Sequence, residues 1–105
     1  MLNDEIMNEI VRRILAVTDV ERVILFGSAA TGTMNADSDI DLLVLKKSVT
    51  NPIAESVRLD KAMRGIQYPF DIFVMSKASF EDTKDVAGSL AWPAHHDGRI
   101  LYDAA

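Results

Sequence analysis

Residues 23–45 constrain this chain more than any other stretch, because they join two apolar runs through a turn of small residues that ends in Asp39-Ile40-Asp41. Val23 to Phe26 is a short apolar run stopped by Gly27-Ser28, which predicts a buried strand turning sharply into a helix. Ser28 is expected to cap that helix. A helix start presents unpaired backbone N–H groups and the positive end of its dipole, so this turn is a candidate phosphate site.

Asp39 and Asp41 are expected to open a second strand that continues to Leu45. Side chains alternate along a strand, so both carboxylates face one side, about 6.6 Å apart at ~3.3 Å per residue. Two bare carboxylates at about 4 Å repel by ~4 kcal/mol at an effective dielectric near 20. Such a pair calls for a cation. Magnesium takes carboxylate oxygens, and two ions ~3.5–4 Å apart clamp a displacement at phosphorus. Taken singly, Gly-Ser is a common turn, and Asp-x-Asp is often the wet face of an edge strand. Here Leu43 and Leu45 follow on the aspartate face while Ile40, Leu42 and Val44 fill the other, so the strand reads as covered on both sides. Gly27 and Gly32 also have P-loop spacing, but Thr33-Met34 stands where Lys-Ser/Thr is required.

Gly27-Ser28, ten intervening residues and Asp39-Ile40-Asp41 together resemble the signature of the minimal nucleotidyltransferases, within the DNA polymerase β-like superfamily. The likeness extends along nearly the whole chain and includes a third aspartate, Asp71, on a later strand. It implies transfer of a nucleoside monophosphate, AMP from ATP, to an acceptor hydroxyl, with pyrophosphate leaving. Gly27 and Ser28 would hold the β- and γ-phosphates, Asp39 and Asp41 would bind two Mg²⁺, and Asp71 would complete one metal site beside the acceptor. The turn departs from the family in one respect: arginines often found there are replaced by Ala29, Ala30 and Thr31. The family also implies a partner, a HEPN-type ribonuclease toxin silenced by AMP attached to a tyrosine. Two other readings stay open, modification of a small antibiotic-like molecule and a non-catalytic module that neutralises a partner by contact.

The formal charge of −5 argues against a surface that grips polynucleotide by its phosphates. With 105 residues, 49% of them hydrophobic and 26% charged, the chain reads as one nucleotidyltransferase domain over residues 1–105. No stretch reaches the ~20 apolar residues of a membrane span, and the absence of cysteine permits a reducing compartment, so a cytoplasmic location is expected.

Along the chain, Asn3 can cap a helix with Ile6, Met7, Ile10, Ile14 and Val17 inside and Arg12 and Arg13 on the wet side. A strand is expected from near Arg22. Asn51-Pro52 should start a second long helix running to about Arg64, whose Arg58 and Lys61 read as a solvated charged face. Phe70 to Met75 reads as a third strand that Asp71 interrupts. Ser79 is expected to cap a short helix, and Trp92-Pro93 to start another that Gly98 ends. His95-His96 is expected at the surface, and Arg99 to Tyr102 as a last strand. The sum is an α+β protein of nucleotidyltransferase fold, a mixed sheet of three to four strands with helices packed against it.

Overall fold

A computed structural model describes residues 2–105. Helix α1 spans Asp4–Val17, and the Asn3 side chain accepts from the Ile6 N–H at 2.9 Å as its cap. Strand β1 is Arg22–Phe26, the short α2 is Ser28–Thr31, and β2 is Ile40–Lys46. Helix α3 spans Pro52–Ala62, with Asn51 accepting from the Ala54 N–H and proline in the first turn. Then follow β3 (Phe70–Ser76), α4 (Lys77–Thr83), α5 (Ala91–Asp97) and β4 (Arg99–Asp103).

The four strands form one mixed sheet in the order β3-β2-β1-β4. Strand β1 is antiparallel to both β2 and β4, whereas β2 and β3 run parallel through the α3 crossover. Alternation in β2 assigns its side chains to two apolar layers. Ile40, Leu42 and Val44 pack with Met7, Ile10 and Ile14 of α1 and with Leu59 at α3. Leu43 and Leu45 pack on the opposite face with Phe80 of α4 and Ala91 and Ala94 of α5. Each fully buried Leu or Ile stabilises the fold by about 1.5–3 kcal/mol, which fixes the register of β2.

Five local expectations are corrected. Ser28 is the first residue of α2 and not its cap: Gly27 holds that position and makes no side-chain cap bond. Asp39 lies just before β2, which begins at Ile40. Helix α4 is capped by Ser76, whose hydroxyl accepts from the Ser79 N–H at 3.1 Å, so Ser79 receives the cap. Helix α3 stops at Ala62, two residues short of Arg64, and Arg13 closes its end. The Arg13 guanidinium leaves the wet side to donate to the carbonyls of Ala62 (3.2 Å) and Arg64 (2.6 Å).

Candidate active site

The C-terminal end of β1 and the N-terminal ends of β2 and β3 meet at one rim of the sheet. In the antiparallel β1–β2 ladder Phe26 stands opposite Asp41, and in the parallel β2–β3 ladder Asp41 stands opposite Asp71. In-register neighbours point to the same face, with strands about 4.8 Å apart. The pairing of β3 beside β2 therefore brings Asp71 next to Asp41, although thirty residues separate them in sequence. Asp41 is half-buried, while Asp39 and Asp71 are exposed.

Gly27 turns the chain against these acids with φ 71° and ψ −155°, a conformation only glycine adopts readily. A Cβ there would lie 2.3 Å from Asp41 Oδ2, so the main chain of the turn rests directly on the carboxylate. Downstream, Met34 is buried, and the Asn35 side chain accepts from the Asp37 N–H at 2.9 Å while the Ser38 hydroxyl accepts from the Asn35 N–H. These bonds fix the loop that delivers Asp39 to the rim.

Burial raises the proton affinity of Asp41 first, and the charges of Asp71 and Asp39 raise it further. Among the described residues, no three Asp, Glu, His or Cys side chains are gathered closely enough to hold a metal ion as they stand. The donor set nevertheless suits a hard divalent cation: all oxygen, mutually repelling, and set against a backbone with no side chain in the way. Ala29 and Ala30 pack against the core under the turn, whereas Thr31 is exposed, its hydroxyl near the carbonyls of Gly27 and Ser28.

Arg64 is a residue the sequence alone did not single out. It lines an open groove of about 450 Å³ together with Val57, Lys61, Phe70, Asp71 and Ile72. A cation at the end of a helix next to an acid-bearing strand was the available signal, but its meaning depends on how α3 lies along β3. His95 and His96 are exposed on α5, with His96 stacked on Trp92 at 4.3 Å and His95 edge-on to Phe80.

The sequence family described as "Polymerase beta, Nucleotidyltransferase" matches residues 8–104. The chain belongs to this family and is a nucleotidyltransferase. Three solved structures share the fold. A toxin–antitoxin crystal structure with AMP-PNP superposes with a TM-score of 0.72 at 23% identity, covering 97% of this chain and 74% of the other. A mutant of the toxin–antitoxin MntA–HpeT gives 0.67 at 19%, covering 97% and 74%. A tri-AMPylated HEPN toxin from Shewanella oneidensis in complex with an MNT antitoxin gives 0.66 at 17%, covering 96% and 73%. No curated protein matches the chain. Among the described residues, no helix is long and apolar enough to cross a membrane.

Proposed function

We propose that this nucleotidyltransferase moves AMP from ATP to a hydroxyl on a partner protein, and that the partner is a HEPN-type toxin for which this chain is the antitoxin. The observation that carries the chemistry is the in-register pairing of Asp41 with Asp71 at a rim where Gly27 leaves the backbone bare. The likeness to toxin–antitoxin structures, one with AMP-PNP and one with an AMPylated toxin, supports the donor and the partner. We place the activity in the cytoplasm, and within a single unit over residues 1–105.

Asp39, Asp41 and Asp71 would hold two Mg²⁺, which supply Lewis acidity at the acceptor oxygen and charge neutralisation for leaving pyrophosphate. Gly27 and Ser28 offer backbone N–H groups to the β- and γ-phosphates. Ser28 adds its hydroxyl. Asp41, between the other two acids, aligns the α-phosphorus, and Asp71 at the sheet edge faces the incoming hydroxyl. The protein's own contribution is thus alignment and fixed charge.

The test mixes the chain, Mg²⁺ and the product of a neighbouring reading frame with ATP labelled at either the α- or the γ-phosphate. Label is expected on the partner from the α-position only. Transfer from the γ-position would make the protein a kinase. A second reading, neutralisation by contact alone, is favoured by the uncharged turn of Ala29, Ala30 and Thr31. It requires that the partner be silenced without any label.

A further inference from the structure

The two outer strands of the sheet are finished differently. Strand β4 is a guarded edge: its pairing with β1 shifts register between Val23 and Ile24, and Asp103 at its end pairs with Arg22. Bulges and charges of this kind keep a further strand from adding to an edge. Strand β3 has no such guard. It runs in register with β2 over all 7 residues from Phe70 to Ser76, with no lysine, proline or glycine and with Asp71 as its one charge. Among the described residues no strand pairs with its outer side. The Ile40 N–H donates to the Pro69 carbonyl at 2.8 Å. In a parallel ladder this turns the backbone groups of Asp71, Phe73 and Met75 toward β2 and leaves those of Phe70, Ile72 and Val74 pointing outward.

The two faces beside this edge differ. Ile72 and Val74 pack in the layer of α1 and α3, and Phe73 and Met75 in the layer of α4 and α5, so alternation puts the Asp71 side chain on the α4 and α5 side. On the α3 side Ile53 and Val57, one helical turn apart, are 77% and 48% exposed. Val57 lines the groove between α3 and the edge, and Lys61 and Arg64 continue it toward the rim. Arg58, Lys61 and Arg64 make no ion pair among the described residues. A second copy of the chain, paired edge to edge about a two-fold axis, would set these cationic flanks side by side, which like charges oppose. A segment carrying apolar and acidic residues complements the flank instead.

Residues in register on neighbouring strands show their side chains on the same face, with Cβ atoms about 5 Å apart. A strand added to β3 therefore brings one side chain beside Asp71 on the acid face and its alternate side chains against α3. We propose that the outer edge of β3 docks the acceptor: an extended segment of the partner protein pairs with Phe70, Ile72 and Val74, sets apolar residues against Ile53 and Val57 and an acidic one against Lys61 and Arg64, and presents its hydroxyl beside Asp71. This inference rests on the proposed transfer to a protein hydroxyl. Selection of the acceptor then lies in the residue pattern of that segment, apart from donor binding at Gly27 and Ser28.

Hydrogen exchange reads such pairing directly, because it alternates along the strand. In the free ¹⁵N-labelled chain the amides of Phe70, Ile72 and Val74 should exchange fast and those of Asp71, Phe73 and Met75 slowly. Mixed, without nucleotide, with the neighbouring-frame product of the transfer test, the first three should slow by about tenfold or more. The double variants Ile53→Gln/Val57→Gln and Lys61→Glu/Arg64→Glu change exposed positions only. Each should raise KM for that partner about tenfold and leave kcat and ATP affinity within about twofold. Edge amides that stay fast in the mixture, variants with a normal KM, or edge amides already slow in the free chain and released on dilution, the mark of a second copy, would each overturn the docking strand. Label passed from α-labelled ATP while the edge amides stay fast removes the docking strand and leaves the transfer reading. Slowed edge amides without any label remove the transfer reading and leave an edge that binds the partner.

Discussion

Gly27 and Asp41 touch in a way no other residue type would allow: a Cβ at position 27 would sit 2.3 Å from Asp41 Oδ2. Gly32 closes the same short helix with a similar φ of 79°, yet a Cβ there meets nothing within 4 Å. Comparing alanine at the two positions separates backbone strain from the collision. Gly32→Ala should cost about 1 kcal/mol, the left-handed penalty alone. Gly27→Ala should cost on the order of 2–3 kcal/mol and also displace the carboxylate, so Mg²⁺-dependent ATP binding disappears with it. Urea unfolding and calorimetry check both. Equal effects at the two glycines would show that the contact with Asp41 does not matter.

Asp41 also sets a pH dependence. Burial and its two acidic neighbours raise its folded pKa above the unfolded value near 3.9, so the folded state holds the proton more tightly. Its ionised form therefore weakens the metal-free fold at neutral pH, and the penalty fades as pH falls through the raised value. Asp41→Asn removes it. The metal-free variant should be more stable than the wild type at pH 7, and the difference should shrink as the pH is lowered to about 4. Mg²⁺ should stabilise the wild type at pH 7 and not the variant. Melts across that range, with and without the ion, give the comparison, and a constant difference would mean that Asp41 carries no penalty.

The sheet was legible because strand and layer follow from side-chain alternation: Ile40, Leu42 and Val44 against Leu43 and Leu45 already state that both faces of β2 are covered, while which helices cover each face shows only in the structure. Asp71 was legible for a different reason, as one carboxylate in the apolar run of β3, and the parallel pairing of β3 with β2 sets it in register with Asp41. What escaped were features decided by two spellings of equal merit or by tertiary contact. Ser76 and Ser79 are both fair caps, and only the strand end at Ser76 chooses between them. Arg13 looks like a solvated charge until the α3 terminus arrives with unpaired carbonyls for it to satisfy. The role of Gly27 as cap shows only in its positive φ.

The missing turn arginines can be restored, but not equally. Ala29 packs against the core, so an arginine there loses buried contact before it gains any phosphate. Thr31 is exposed and gives up only weak hydroxyl contacts of 3.0 to 3.5 Å. Thr31→Arg should tighten Mg²⁺–ATP binding roughly fivefold, about 1 kcal/mol for an exposed charged contact. Ala29→Arg should bind no better and melt lower. Tighter binding by the position-29 variant alone would mean that the turn presents its other face to the nucleotide.

Asp71 offers the sharpest separation of chemistry from binding. It is exposed at the start of an edge strand and bears on Asp41 through its charge, so Asp71→Asn keeps shape and solvation and removes only that charge. Its repulsion of Asp41 is lost as well, so the metal-free fold should be unchanged or slightly more stable. Nucleotide held through Gly27, Ser28, Asp39 and Asp41 should largely survive. Under the proposed function, transfer should fall by a factor on the order of 10² or more, because a charge that aligns the acceptor hydroxyl would act mainly in the transition state. The measurement is the rate of α-label transfer at saturating ATP, with ATP affinity and thermal melts taken on the same sample. Near-normal transfer would remove Asp71 from the site. A parallel loss of ATP affinity would instead assign it to the donor side of the rim, with Asp39 and Asp41.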